Sequence, residues 1–259
     1  MQSLSFNGFR LDGRVALITG ASSGIGAALA RGFAEAGASV VLAARRLDRL
    51  EALAAELQAL GAKALPLALD AAQPQTFGTL FDAVERDYGL IDILVNNAGV
   101  ARPARFLKTS GDNLAETMRL NFEAPWHLSQ QMAARLIAAK RGGSIINIAS
   151  VLALGAGPGY AAYSSSKGAL VQLTRSLALE FVRAGIRVNA LAPGWFVTEM
   201  NEEWFATEDG QSYLKSTPAG RAGRLPELIG PALLLASEAG SFLNGVVLPV
   251  DGGHHVALK

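Results

Sequence analysis

The sequence predicts an α/β protein built on one doubly wound parallel sheet with helices on both faces. Three observations point to it. Short apolar runs alternate with segments of helical spacing from Val15 onward, the order that gives parallel strands joined by helical crossovers. The runs are continuously apolar, as strands buried on both faces require. Glycine closes one helical segment after another, at Gly37, Gly61, Gly89 and Gly185, where a left-handed terminal residue is needed. No linker or composition shift divides the 259 residues, so a single domain over 1–259 is expected.

The first unit carries the sharpest local signal. The apolar run Val15–Thr19 leads into Gly20-Ala-Ser22-Ser23-Gly24-Ile25-Gly26, and Leu29, Phe33 and Ala36 follow at helical spacing. A strand, a glycine turn and a helix in that order present backbone N–H groups and a helix N-terminus to a pyrophosphate. Gly24 and Gly26 are expected to permit the close approach. The second strand, Ser39–Ala44, runs into Arg45-Arg46, with no carboxylate before Asp48. An acid there would bind the ribose 2′-hydroxyl of NAD(H); a guanidinium suits the 2′-phosphate of NADP(H) by charge and bidentate geometry. The missing acid favours NADP(H) over NAD(H), against the alternative that both arginines are solvated helix-start residues.

The pattern repeats. A helix over 47–60 precedes a strand over 64–69 that ends at Asp70. A helix over 76–88 precedes a strand over 91–95 that ends at Asn96-Asn97-Ala98-Gly99. A helical segment over 113–139 holds Asn121 among Leu114, Met118, Leu120 and Phe122. A buried amide there must find partners, and a structural bond to a neighbouring strand competes with a functional role. The strand Ile145–Ala149 ends at Ser150, a glycine-rich loop spans 152–159, and a helix begins at Ala161 with Leu170, Leu173, Leu177 and Phe181 on its apolar spacing. The strands Ile186–Leu191 and Val246–Val250 close the pattern. Gly20, Arg45, Asp70, Asn97, Ser150 and Pro193 all fall just past strand ends, on the rim where such sheets bind ligands.

Tyr163 and Lys167 lie four residues apart on that helix, so their side chains share a face. A free tyrosine, with a pKa of about 10, is a poor acid–base catalyst at neutral pH. A nearby ammonium is expected to lower it. Ser150, brought alongside by the loop, can hydrogen-bond the same oxygen, giving a carbonyl site with one proton donor and one polariser. Alone, the pair also reads as surface residues of an amphipathic helix.

The segment 195–223 is the expected substrate cover. It carries Trp195, Phe196, Met200, Trp204, Phe205 and Tyr213, and apolar pockets with a few placed polar groups are the usual binding style. An apolar or moderately bulky ketone would suit it, with Leu152, Leu154 and Tyr160 on the opposite wall. The same aromatics also fit docking of the segment on its own domain or on another subunit.

Bulk composition excludes several classes. The 23 basic and 22 acidic residues give a net charge of +1, which argues against a nucleic-acid binder or a polybasic membrane protein. No apolar stretch approaches the length of a membrane span, and Met1–Asp12 lacks the pattern of a signal peptide. With no cysteine, thiolate chemistry and disulfides are excluded. A cytoplasmic protein is the consistent reading. His127, His254 and His255 do not have metal-ligand spacing, so no metal is expected.

Together these residues resemble the short-chain dehydrogenase/reductase family over nearly the whole chain, which implies a Rossmann-like fold. Thr19-Gly20-Ala-Ser-Ser-Gly24-Ile-Gly26 is similar to its cofactor loop, with the glycine spacing of its short reductases. Asn96-Asn97-Ala98-Gly99 resembles its sheet-stabilising motif, and Asn121, Ser150, Tyr163 and Lys167 match its catalytic tetrad in order. Pro193-Gly194, with Val197 and Thr198, resembles the segment that meets the nicotinamide carboxamide. The resemblance implies that Tyr163 donates a proton in carbonyl reduction and accepts one in alcohol oxidation. Lys167 would lower its pKa and hold the nicotinamide ribose, Ser150 would orient the carbonyl, and Asn121 would hold a water linking Lys167 to solvent. Asp70 would contact adenine and Asn97 the adenosine-side ribose. A homotetramer or homodimer is implied, with the apolar faces of 113–139 and 161–181 as interface candidates. An NADP(H)-dependent ketone reductase or secondary-alcohol dehydrogenase is the leading expectation. The alternatives are a 3-oxoacyl thioester reductase, whose acidic carrier would meet Arg102, Arg105, Arg221 and Arg224, and a non-catalytic NADP-binding regulator.

Overall fold

A computed structural model describes residues 7–257; part of the Met1–Asp12 segment read above lies outside them. Seven parallel strands form one sheet in the order β3-β2-β1-β4-β5-β6-β7. The strands are β1 (Val15–Thr19), β2 (Ser39–Ala44), β3 (Ala64–Ala68), β4 (Ile93–Asn96), β5 (Gly143–Ile148), β6 (Ile186–Pro193) and β7 (Val247–Val250). The crossover helices are α1 (Gly24–Glu35), α2 (Leu47–Ala59), α3 (Phe77–Tyr88), α4 (Gly111–Met118), α5 (Ala124–Ala138) and α6 (Ala161–Phe181). Beyond β6 come the short α7 (Glu202–Phe205), α8 (Glu208–Ser216) and α9 (Ile229–Ala236).

The strand order reverses beside β1. β1 pairs with β2 on one side and β4 on the other, which opens a crevice past the carboxyl ends of these strands. Continuously apolar strands produce two apolar layers, one on each sheet face. Leu29, Phe33 and Leu235 pack against Ile18, Leu42 and Val95 on one face. Phe77, Phe81 and Leu128 pack against Leu17, Val41 and Leu94 on the other. This alternation of Leu17 and Ile18 is the period-2 geometry of a strand covered on both sides.

Several boundaries differ from the expected ones. β4 begins at Ile93 rather than Ile91, although the backbone of Asp92 still bonds to Val15 and Ser144 on either side. The Asp92 carboxylate is buried, accepts from the backbone N–H of Val15 at 3.0 Å and pairs with Arg141 at 2.5 Å. β6 runs on to Pro193, paired to β7 through Val250. Of the four glycines expected as left-handed helix ends, Gly185 has φ 73° and ψ 15°. Gly89 combines φ 84° with ψ −172°, so it turns the chain out without a left-handed helical residue. The segment expected as one helix over 113–139 is α4 and α5 joined by a π turn at Arg119–Glu123. Asn121 lies in that turn.

Candidate active site

The glycine turn is held from behind by Thr19 and Asn97. The Thr19 hydroxyl accepts from the backbone N–H groups of Asn97 and Ala98, both at 3.0 Å, and donates to the Val95 carbonyl at 3.2 Å. Asn97 Nδ2 donates to the carbonyls of Thr19 at 2.8 Å and Gly20 at 3.3 Å. This locks the end of β4 to the turn after β1. A Cβ on Gly26 would sit 2.4 Å from the Gly20 carbonyl oxygen and 2.6 Å from Asn97 Nδ2. Gly26 is therefore a packing glycine that lets α1 approach the turn, not one that faces a phosphate. Gly24, with φ 54°, opens α1 and is part-buried at the cleft. A Gly26→Ala variant is expected to lose about 1–3 kcal/mol of stability by overpacking and to weaken nicotinamide-dinucleotide binding together with it. Thermal unfolding and a fluorescence titration of the same sample check both.

A cleft of about 630 Å³ runs along the strand ends. One end holds Gly20, Ser22, Ser23, Gly24, Ile25, Arg45, Arg46 and Asp70. The middle holds Asn97, Ala98, Gly99, Ser150, Tyr163 and Lys167, and Pro193, Gly194 and Thr198 close one side. Asp70 caps its own turn, accepting from Ala72 N at 3.0 Å and Gln73 Nε2 at 3.1 Å. Five expected site residues stand off the cleft wall: Gly26, Asn121, Leu154, Val197 and Trp204; Leu154 faces solvent instead. Gly26 is buried behind the turn. Val197 is half exposed; Thr198 beside it turns inward, so a Cβ on Gly24 would lie 3.2 Å from its Cγ2. Trp204 packs on Trp195 and Phe205, with ring centroids at 6.2 and 4.8 Å.

Asn121 is fully buried and its amide is committed to protein partners. Its Oδ1 accepts from Val100 N at 2.9 Å; its Nδ2 donates to Val100 O at 2.9 Å and to Ser166 Oγ at 3.0 Å. The partner is the loop after β4, not a strand, and the π turn supplies the extra residue that brings Asn121 to it. The amide thereby ties α6, through Ser166, to the loop that lines the cleft.

Ser150, Tyr163 and Lys167 converge at the centre. Ser150 sits at the end of β5, its Oγ accepting from Leu152 N at 3.1 Å. Lys167 is buried on α6, and its Nζ donates to the Ile148 carbonyl at 2.7 Å. The same Nζ lies 5.8 Å from the centroid of the Tyr163 ring. Burial pulls the Lys167 ammonium down to about 8. Burial also pushes the Tyr163 phenol up from its ordinary value, with a hydrogen bond from Ser150 opposing it. In the free protein, burial thus acts on the phenol in the direction opposite to that expected of a neighbouring ammonium.

The substrate end is aromatic. Tyr160 lies edge-on to both Tyr163 and Trp195, with centroids 6.3 Å apart in each pair. Leu152, Val100, Ala101 and Met200 complete that wall. Trp195 is fixed in turn by Phe205 and by Tyr213, whose hydroxyl accepts from Trp195 Nε1 at 3.1 Å. The backbone of the segment folds back on itself, with Gly223 N donating to the Trp195 carbonyl at 2.8 Å. Glu199 and Asn201 also line the cleft. No local pattern marked either one, because their contacts come from residues distant in sequence or from a local turn.

The family described as enoyl-(acyl carrier protein) reductase matches residues 20–255. A gluconate 5-dehydrogenase of Gluconobacter oxydans (strain 621H) is 43% identical over 251 residues, 96% of this chain and 98% of that protein. The crystal structure of a gluconate 5-dehydrogenase from Burkholderia cenocepacia J2315, in complex with NADP and tartrate, superimposes with a TM-score of 0.93. It is 42% identical and covers 97% of this chain and 99% of the other. A 3-oxoacyl-acyl-carrier-protein reductase of Thermotoga maritima is 34% identical over 94% of this chain and 98% of that protein. A nucleotide-binding turn, a crevice at the strand reversal and a serine–tyrosine–lysine centre define an α/β oxidoreductase acting on CH–OH and C=O groups. The chain belongs to the short-chain dehydrogenase/reductase family.

Proposed function

We propose that this protein is an NADP(H)-dependent oxidoreductase that interconverts a ketone and a secondary alcohol. Ser150, Tyr163 and Lys167 meeting in one cleft is the observation that carries the reading. The nicotinamide, when bound, supplies or accepts the hydride. The protein positions and moves the proton. Ser150 hydrogen-bonds the carbonyl oxygen and polarises it; Tyr163 delivers a proton to that oxygen in reduction and removes it in oxidation. Lys167, held by the Ile148 carbonyl, keeps a positive charge beside the tyrosine and reaches the cofactor's ribose hydroxyls. Asn121 serves this centre from behind, by fixing α6 to the 99–101 loop. The chain 195–223 acts as the substrate cover.

The residues present fit a dinucleotide. Gly20, Ser22, Ser23, Gly24 and Ile25 line the cleft at the N-terminus of α1. Arg45 is exposed at the adenosine end, where a 2′-phosphate would be met. Titration of the protein with NADPH and NADH is expected to show tighter NADPH binding, and Arg45→Asp is expected to abolish that preference. NADH binding as tight as NADPH binding in the unaltered protein would overturn the assignment.

The aromatic wall suits an apolar or moderately bulky ketone, while the relatives named for gluconate make hydroxy acids the second group to assay. The thioester alternative is weakened by charge pairing. Arg102 pairs with Glu116, and Arg221 and Arg224 share Glu227, so two carboxylates already offset part of the charge of the four arginines expected to greet an acidic carrier. Assembly as a homotetramer or homodimer would cover Leu114, Trp126, Ile137 and Leu179, which are exposed on α4, α5 and α6. No described helix is long and apolar enough to cross a membrane, and we place the protein in the cytoplasm.

A further inference from the structure

The sequence has no acid at the end of β2, but the fold brings one there from the far side of the cleft. Glu199 follows Thr198 on the segment after β6. Its Oε2 accepts from Arg46 at 2.9 Å, and its Oε1 pairs with Arg49. The same Arg46 guanidinium donates to Ser22 Oγ at 3.0 and 3.2 Å and to Ser23 Oγ at 2.8 Å. One guanidinium therefore joins three parts of the adenosine-side wall: the glycine turn, the start of α2 and the substrate cover. Arg46, Ser22, Ser23 and Glu199 all line the cleft. Both members of the Arg46–Glu199 pair are a little under half exposed, so an incoming anion can reach them. The two arginines hold the Glu199 carboxyl below its usual range, which keeps it an anion at neutral pH.

We propose that Glu199 is a cofactor-specificity residue, an internal competitor for the Arg46 guanidinium. The proposal rests on the NADP(H) reading above. A 2′-phosphate arriving beside Arg45 must displace Glu199 from Arg46, because one guanidinium face cannot serve a carboxylate and a phosphate at full strength. Displaced, Glu199 keeps Arg49 as a partner, so the exchange leaves no charge stranded. A 2′-hydroxyl carries no charge and leaves the Arg46–Glu199 pair in place. Glu199 thus narrows the preference for the phosphorylated dinucleotide that the two arginines would otherwise set. It also links the 2′ position of the cofactor to the substrate cover, since the displaced residue belongs to that segment.

Calorimetric titration of the full chain with 2′,5′-ADP and with 5′-AMP tests this without turnover. Glu199→Gln is expected to tighten 2′,5′-ADP about two- to fivefold, the range of a part-exposed ion pair, and to leave 5′-AMP unchanged. The gain is expected to shrink at high salt. Arg49→Met removes the carboxylate's other partner, leaves Glu199 wholly on Arg46, and is expected to weaken 2′,5′-ADP about twofold. If 2′,5′-ADP stays tighter than 5′-AMP but is unmoved or weakened by Glu199→Gln, the competitor role is overturned and the NADP(H) reading stands. If 2′,5′-ADP binds no better than 5′-AMP to the unaltered protein and to Glu199→Gln, both fall.

Discussion

Tyr163→Phe is expected to lower kcat for ketone reduction and for alcohol oxidation by about 10³-fold, within the range supplied by a positioned acid or base. The substitution removes one oxygen and keeps the ring that packs edge-on to Tyr160. The fold, the cleft and the dissociation constant for NADPH should therefore be unchanged. The pH dependence carries the diagnosis. Burial holds the free protein's Tyr163 phenol above its ordinary value, so it stays protonated through neutral pH. Reduction uses the protonated form, and its rate should be flat through neutral pH and fall on the alkaline side. Oxidation needs the phenolate, so its rate should climb with pH until Lys167, at a pKa of about 8, loses its charge. Phenylalanine should erase both tyrosine limbs. Steady-state rates in each direction from pH 6 to 10.5, measured beside an NADPH titration, check this. A loss below tenfold would place the proton on another group, whereas a limb near pH 8 that survives in the variant belongs to Lys167.

The reading of the sequence succeeded where chemistry is local and stopped where it depends on the third dimension. The glycine turn, the run of apolar strands and the Tyr163–Lys167 spacing are each contained within a few residues, and they predicted the sheet and the centre of the cleft. Asn121 was visible as an amide among apolar neighbours, but its partners were not. Val100 is 21 residues away and Ser166 is 45, and no spacing rule connects them. Gly26 shows the converse problem. Its place in the motif was plain, yet whether a glycine faces a ligand or a neighbouring backbone depends on where Gly20 and Asn97 lie around it. Glu199 is not marked at the end of β2, because the fold delivers its carboxylate there from 153 residues beyond Arg46. The pull of burial on Tyr163 is illegible in the sequence for a related reason. Helical spacing places a cation near a phenol, but the strength of desolvation depends on everything packed over the pair.

Lys167→Met is expected to abolish turnover and to stabilise the fold at neutral pH. The two effects share one cause. Lys167 is 4% exposed and its pKa falls to about 8 from 10.5. Below pH 8 the folded protein must keep an ammonium out of water, while the unfolded chain keeps it solvated. That difference opposes folding by about 3 kcal/mol at pH 7, taking about 1.4 kcal/mol per pKa unit. The sign follows from proton counting. Between pH 8 and 10.5 the unfolded chain binds more protons than the folded one, so this penalty fades as pH rises through that window and is gone above it. Methionine fills much of the same volume without a charge, but it leaves the Ile148 carbonyl without the bond from Nζ, which costs about 1–3 kcal/mol. The net gain at pH 7 is therefore expected to be about 1 kcal/mol, turning into a loss by pH 10.5. Thermal unfolding of both proteins across pH 7–10.5 should show their midpoints cross. Over the same range the variant should lose at least about 10²-fold in kcat, because no positive charge remains near the Tyr163 ring to favour the phenolate. A variant that unfolds earlier at pH 7, or one that retains turnover, would mean that the ammonium is there for packing. A buried cation that destabilises the fold in the pH range where its charge is present is instead what a site selected for chemistry should contain.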